Sequence, residues 1–180
     1  VGGDFSTAGG NAASRIAKWD GTSWTALGTG MNNTVRAIAV VGSDVYAGGD
    51  FTTAGGVSAQ RIAKWNGSVW SALGSGTSLS VYCLAVNGQD LFVGGSFTQA
   101  GGVPRRCIAK WSGTGWSSLD SGLDDDLSGP QGRSALGLMV VGPDLYVGGE
   151  FDIAGGIGVL NIAKWNGTVW SALGSGMNDY

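Results

Sequence analysis

Histidine is absent from this 180-residue chain, which removes the Ser-His-Asp and Cys-His nucleophile systems and every histidine-ligated metal site. An enzyme built from this chain would have to work with carboxylates, lysine or tyrosine. Charged residues are also scarce, at 13%, about half the usual share. The net charge is −3 and no long basic run occurs, so nucleic acid is not an expected partner. No stretch reaches the roughly 18 to 20 consecutive apolar residues of a membrane helix. No charged leader precedes the first residues, Val1-Gly-Gly-Asp-Phe5, but this says nothing about secretion, because that stretch falls inside a repeat unit described below. Cysteine and proline are rare, with two and three copies.

Glycine is abundant. Thirty-five glycines would suggest low complexity, but they recur in register between apolar segments and so read as turns and bulges. A hydrophobic content of 43% is enough for a sizeable core.

The glycines follow a repeat. Trp19, Trp65, Trp111 and Trp165 lie at intervals of 46, 46 and 54 residues, and the pairs Gly2-Gly3, Gly48-Gly49, Gly94-Gly95 and Gly148-Gly149 keep the same intervals. Such a period marks a solenoid, propeller or array. In the second unit, Thr34 to Val41 and Val45 to Phe51 read as paired strands around Gly42-Ser43-Asp44. A loop carrying Ala54-Gly55-Gly56 leads to a hairpin from Arg61 to Gly74. Counterparts of this hairpin span 15–28, 107–120 and 161–174, each with a second tryptophan, at Trp24, Trp70, Trp116 and Trp170. Asp20-Gly21, Asn66-Gly67 and Asn166-Gly167 read as two-residue type I′ turns, a register that sets Ala63 opposite Trp70 and puts Trp65 and Trp70 diagonally on one face. The paired glycines of the second strand predict a bulge or close backbone approach.

Four strands of five or six residues fill each period and leave no room for an ordinary helix. The fold predicted is all-β: a β-propeller of four-stranded antiparallel blades, with three complete blades and a partial one. The boundaries are 1–32 for the partial blade, then 33–76, 79–122 and 133–176, with an insertion loop at 121–133. The order Val45-Tyr46-Ala47-Gly48-Gly49, then Ile62-Ala63-Lys64-Trp65-Asn66, then Trp70 resembles the kelch motif, with Trp65 where that motif has tyrosine. The resemblance covers essentially the whole chain and implies a kelch-like or galactose-oxidase-like propeller of the bacterial extracellular type. It implies no oxidase activity, since that copper site needs histidines. The first unit begins within its second strand and the last ends soon after its hairpin, so a fragment of a longer propeller is expected, the alternative being a ring completed by another chain.

Acidic residues follow the glycine pairs at Asp4, Asp50 and Glu150, with Ser96 in the third unit. The third strand opens with Arg15, Arg61, Cys107 and Asn161 in the same order. Where the acid becomes serine the arginine becomes cysteine, which predicts structural ion pairs Asp4–Arg15 and Asp50–Arg61, and sends Glu150 towards Lys164. Lys18, Lys64, Lys110 and Lys164 recur once per unit, as a structural role predicts. The insertion carries Asp124, Asp125 and Asp126, oxygen ligands suited to Ca²⁺ but lacking the alternation of an EF-hand loop; no other cofactor is expected. Cys83 and Cys107 fall on strands separated by one other, a span of about 9.6 Å that exceeds disulfide reach, so two thiols are expected. The tryptophans read as packing groups rather than as a sugar-binding platform.

The function expected is that of a non-enzymatic structural or binding scaffold of a secreted or cell-surface repeat protein. One alternative is a carbohydrate-binding or accessory propeller of a carbohydrate-active enzyme, and another is an assembly module completed by strands of another chain. The partner, protein or glycan, is not specified by the sequence. The places to look for specific activity are where the repeat fails: residues 121–133, the Ser96 and Cys107 pair, and the two unfinished ends.

Overall fold

Two-residue turns led by glycine fold the first apolar segment of each unit back on the second. Gly42, Gly88 and Gly142 have φ near +60°, and Val41 pairs with Asp44, Asn87 with Asp90 and Val141 with Asp144 across them. These are type II′ connections, in which only the first central residue needs the left-handed region. A computed structural model describes residues 1–124 and 133–177 of the chain. Among them every regular element is a strand, and no helix is long and apolar enough to cross a membrane.

Three four-stranded antiparallel sheets follow one another. In the second unit the strands are Val35–Val41, Asp44–Gly49, Ile62–Trp65 and Trp70–Ala72, paired in chain order. The third unit has Val81–Asn87, Asp90–Gly95, Ile108–Trp111 and Trp116–Ser117, and the fourth Ser134–Val141, Asp144–Glu150, Ile162–Trp165 and Trp170–Ala172. In the first unit Ala17–Trp19 pairs with Trp24–Ala26, and Gly2 bridges Ile16. The first strands of the three sheets lie against one another in sequence, so successive sheets pack face on face. Both faces of the middle sheet are covered, which is why its strands are apolar on both sides.

The expected type I′ turns at Asn-Gly and Asp-Gly are corrected by the structure. Trp65 lies directly opposite Trp70 and Ala63 opposite Ala72, across a four-residue connection. The Asn66 side chain is the cause: its Oδ1 accepts from the backbone N–H of Ser68 at 3.0 Å and of Val69 at 2.9 Å, an Asx turn that needs positive φ only at Gly67. Asn166 repeats this bonding. Asp20 adds hydroxyl donors from Thr22 and Ser23, and these contacts, led by the Ser23 and Thr22 N–H groups, hold its carboxyl well below the usual range. The type I′ geometry sits in the loops instead. Thr53–Ala54 and Val57–Ser58 form a small hairpin whose Gly55 and Gly56 both have positive φ, and the other units repeat it.

Tryptophan joins the units. The rings of each pair lie 5.2–5.4 Å apart, and the second indole reaches back one unit. Trp70 Nε1 donates to the Leu27 carbonyl at 2.7 Å, Trp116 to Leu73 at 2.9 Å and Trp170 to Leu119 at 3.1 Å. Phe51, Phe97 and Phe151, which follow the glycine pairs, are buried between sheets, each contributing roughly 1.5–3 kcal/mol relative to exposure.

The paired glycines serve two needs. A Cβ on Gly48 would overlap Val81 of the next sheet, and one on Gly94 would overlap Cys83 and Ala135. A Cβ on Gly49 or Gly95 would strike the carbonyl of Thr34 or Ser80, beside bulges at Val35/Ala37 and Val81/Cys83. Bulge and close approach are both present, as expected. Gly48→Ala should therefore lower unfolding stability by about 1–3 kcal/mol through overpacking. Gly137→Ala, whose Cβ would meet open space, should be neutral or stabilising by up to about 1 kcal/mol. Urea unfolding of the two variants measures both.

Candidate functional site

Side chains change from unit to unit where the glycine-paired end of each first strand meets the kink before the third strand. The kink itself is constant. Arg15, Arg61, Cys107 and Asn161 all have φ of 60–64°, rare for residues other than glycine. Two backbone bonds hold this geometry: the N–H of Arg61 donates to Phe51 O at 2.8 Å, and its carbonyl accepts from Gly49 N at 2.9 Å. Cys107 and Asn161 keep the same pair of bonds. The shared feature of these four positions is thus a left-handed backbone.

Side chains at the site vary. The bulge residue of the first strand is Arg36, Tyr82 or Leu136 in successive units, and the residue after the glycine pair is Asp50, Ser96 or Glu150. The expected Asp50–Arg61 pair is not formed. Asp50 instead meets Arg36, with Nε 2.9 Å from both carboxylate oxygens and Nη2 at 2.8 Å. The bulge delivers Arg36 across the sheet end to Asp50, while the left-handed backbone of Arg61 sends its guanidinium to Gln60 Oε1 at 3.1 Å and Thr77 O at 3.4 Å. Asp4–Arg15 does form, at 3.5 Å, with Asp4 largely exposed.

Arg36 also ties two units together. Its Cζ stands 5.4 Å from the centroid of the Tyr82 ring, a cation–π contact, and Ser96 Oγ donates to the Tyr82 hydroxyl at 3.3 Å. The result is a continuous chain, Asp50–Arg36–Tyr82–Ser96, across the second and third sheets. Hydrogen bonding from Arg36 is the main reason the Asp50 carboxyl lies below its usual range, with Ser80 contributing, and the Arg36 guanidinium is raised by the same bond. Glu150 does not reach Lys164 but accepts from Ser134 Oγ at 3.3 Å.

Beside this network opens a cleft of about 650 Å³, lined by Tyr82, Ser96, Cys107, Arg106, Arg133 and Glu150, among others. A second cleft adjoins it on Arg36, sharing Tyr82, Ser134 and Glu150. Volumes of this order suit a small ligand. The cleft contains the Ser96 and Cys107 pair and Arg133, the places where the repeat fails.

The calcium expectation changes. Asp124 lies between two guanidinium groups, Arg133 Nη1 at 2.8 Å and Arg106 in close contact, so its oxygens are committed to cations already present. Asp125 and Asp126 lie outside the described residues. Among the described residues no group of three or more His, Cys, Asp or Glu is placed to hold a metal.

Lysines and cysteines take structural places. Lys64 pairs with Asp44 at 3.0 Å, Lys110 with Asp90 at 2.9 Å and Lys164 with Asp144 at 3.2 Å, each joining a second strand to a third. These pairs are part-exposed and contribute about 0–1 kcal/mol each. Asp44, Asp90 and Asp144 each precede the lysine by 20 residues, a signal that comparison of the units contains. Cys83 and Cys107 lie on either side of the strand Asp90–Gly95 and form no disulfide. Burial pushes the Cys83 thiol up to about 12, so it is no nucleophile at neutral pH. Arg36 and Tyr82 were missed by sequence reasoning, although the signal was available: aligned by the repeat, the 36/82/136 position changes from cation to phenol to aliphatic.

The Arg36–Asp50 pair predicts a pH signature. Its depressed carboxyl contributes stability above the pKa of an unfolded aspartate, and this stability is lost as pH falls through the lower folded value. Arg36 is half exposed, so Asp50→Asn should cost about 0.5–1 kcal/mol at pH 7. The gap between the variant and the wild-type chain should close below about pH 4, as read from urea midpoints across pH.

No protein-family model matches this chain, and no curated protein does.

Proposed function

We propose that the chain is part of a kelch-like β-propeller and acts as a non-catalytic binding scaffold of a secreted or cell-surface protein. The observation that carries this reading is where the repeat varies. The tryptophan hairpins are near-identical from unit to unit, while the variable side chains Arg36, Tyr82, Ser96, Cys107 and Glu150 gather around one pair of clefts. A scaffold kept constant with recognition groups varied at one end is the division expected of a binding repeat protein. The propeller reading is supported by the meander order of the three sheets and the contact between their first strands. Residues of the site are engaged in pairing, Asp50 by Arg36 and Asp124 by two arginines, which suits recognition better than acid–base chemistry. Secretion is supported by the composition, rich in Gly, Ser, Thr and Asn and low in lysine.

A glycan array and a displayed peptide library, probed with the chain itself, test the reading. Ligand is expected from one of them, and Tyr82→Ala or Glu150→Gln should weaken its binding about tenfold or more, the cost of losing a central contact. Val69→Ala, on the exposed hairpin, should leave affinity unchanged. Binding that survives both cleft substitutions, or turnover of a ligand that Glu150→Gln abolishes, contradicts the proposal. Silence on glycans at millimolar concentration removes the lectin-like alternative.

A further inference from the structure

Three Asn-Gly pairs occur in the chain, Asn66-Gly67, Asn87-Gly88 and Asn166-Gly167, and the structure holds them in two different ways. All three asparagines are exposed. A Cβ on Gly67, Gly88 or Gly167 would meet open space, so water reaches each pair. By sequence and by exposure the three are equivalent.

Their side chains are not equivalent. Asn66 Oδ1 accepts from the backbone N–H of Ser68 at 3.0 Å and of Val69 at 2.9 Å. Asn166 Oδ1 accepts from Thr168 N at 3.0 Å and Val169 N at 2.9 Å, and also from the Thr168 hydroxyl at 2.9 Å. Gly67 and Gly167 lie outside the strands at φ of 98° and 100°, and their N–H groups meet no acceptor among the described residues. Asn87 instead ends the strand Val81–Asn87, paired with Asp90, and its Oδ1 receives no donor among the described residues. In the first unit Asp20 takes the place of Asn66, and its Oδ1 accepts from the N–H groups of Thr22 and Ser23, each at 2.8 Å.

We infer that Asn66 and Asn166 are sites of spontaneous covalent modification, each turn converting its own asparagine to aspartate or isoaspartate through a cyclic imide, and that Asn87 is not. Hydroxide from solvent takes the proton of the glycine N–H, the glycine nitrogen attacks the asparagine Cγ, and the carbonyl electron pair moves onto Oδ1. The new N–Cγ bond closes the ring. The oxyanion then collapses, the Cγ–Nδ2 bond breaks, and ammonia leaves with a proton from water, which restores the hydroxide. A second water opens the imide at either carbonyl, so one water is consumed and one ammonia released, with no oxidant or reductant. Nucleophile and carbon sit on neighbouring residues, which makes the attack intramolecular, and glycine adds no side chain to obstruct it. The donors on Oδ1 stand where negative charge develops, and N–H groups so placed stabilise an oxyanion more than a neutral carbonyl. Asn87 has no such donors, and closing the ring there would pull its backbone from the ladder. The aspartate product fits the turn, as Asp20 demonstrates, and each conversion adds a negative charge to a chain of net charge −3. Isoaspartate does not fit, because it inserts a methylene into the main chain between the paired tryptophans.

Peptide mapping by mass spectrometry tests the inference on the folded chain stored at neutral pH, beside the same chain kept unfolded in guanidinium chloride. In the folded chain the peptides holding Asn66 and Asn166 should gain the mass that separates an acid from an amide, while the Asn87 peptide stays unchanged. In denaturant, where the turn donors are gone, all three should convert at similar rates. Thr168→Val, which removes the hydroxyl donor and keeps the backbone N–H, should slow conversion at Asn166 roughly 3- to 10-fold, the effect of one hydrogen bond. Asn66 in that variant should convert as in the unmodified chain. The inference is overturned by conversion of Asn87 as fast as the other two in the folded chain, by no conversion of Asn66 and Asn166 there, or by an unchanged rate at Asn166 in Thr168→Val.

Discussion

One hydrogen bond recurs at every junction of this molecule: an indole N–H donated to a leucine carbonyl of the preceding unit. Its importance comes from what a sheet of this kind cannot do alone. Each four-stranded meander has two apolar faces, and neither can be left to water without forfeiting the burial that offsets chain entropy. Stacking covers both, but apolar packing is not directional and would tolerate sliding. A buried indole N–H is costly unless it is bonded, so it fixes one height and one rotation for each sheet on the next. The glycine pairs follow from the same constraint. Gly48 and Gly94 let the next first strand approach until the indole reaches its carbonyl.

At the sheet end, variation falls on positions that this frame does not use. The left-handed kink before each third strand is held by backbone bonds, its N–H donating to the carbonyl of Phe51, Phe97 or Phe151 and its carbonyl accepting from the second glycine of each pair, so its side chain can be Arg, Cys or Asn. The bulge residue opposite is equally unconstrained by the ladder, because a bulge leaves one residue unpaired. Together these produce a sheet end where charge, ring and hydroxyl differ from unit to unit on an unchanged backbone.

Much of the fold was legible in the sequence, because periodicity reports architecture directly. Four strands per period, the paired tryptophans, the glycine bulge and the unbridged cysteines could all be read from spacing. The hairpin register could not, because Asn66-Gly67 supports two turns of different length, and the Asn66 side chain selects the longer one. The ion pairs were half legible. Co-substitution of Asp50 and Arg61 with Ser96 and Cys107 marked the right region, but the shared property was backbone conformation, and the true partner, Arg36, came from a bulge whose direction spacing does not encode. The Lys–Asp pairs were written in the repeat at a constant 20 residues and went unread because each lysine was considered without its strand neighbour.

The central claim is that second-position tryptophans lock successive units through their indole N–H groups. Indole hydrogen exchange, followed by NMR in dilute solution, measures this directly. Trp70, Trp116 and Trp170 should exchange only on global opening of the structure, slower by orders of magnitude than Trp24, whose N–H meets no acceptor among the described residues. Indoles of Trp70, Trp116 and Trp170 that exchange as fast as that of Trp24 would contradict the account.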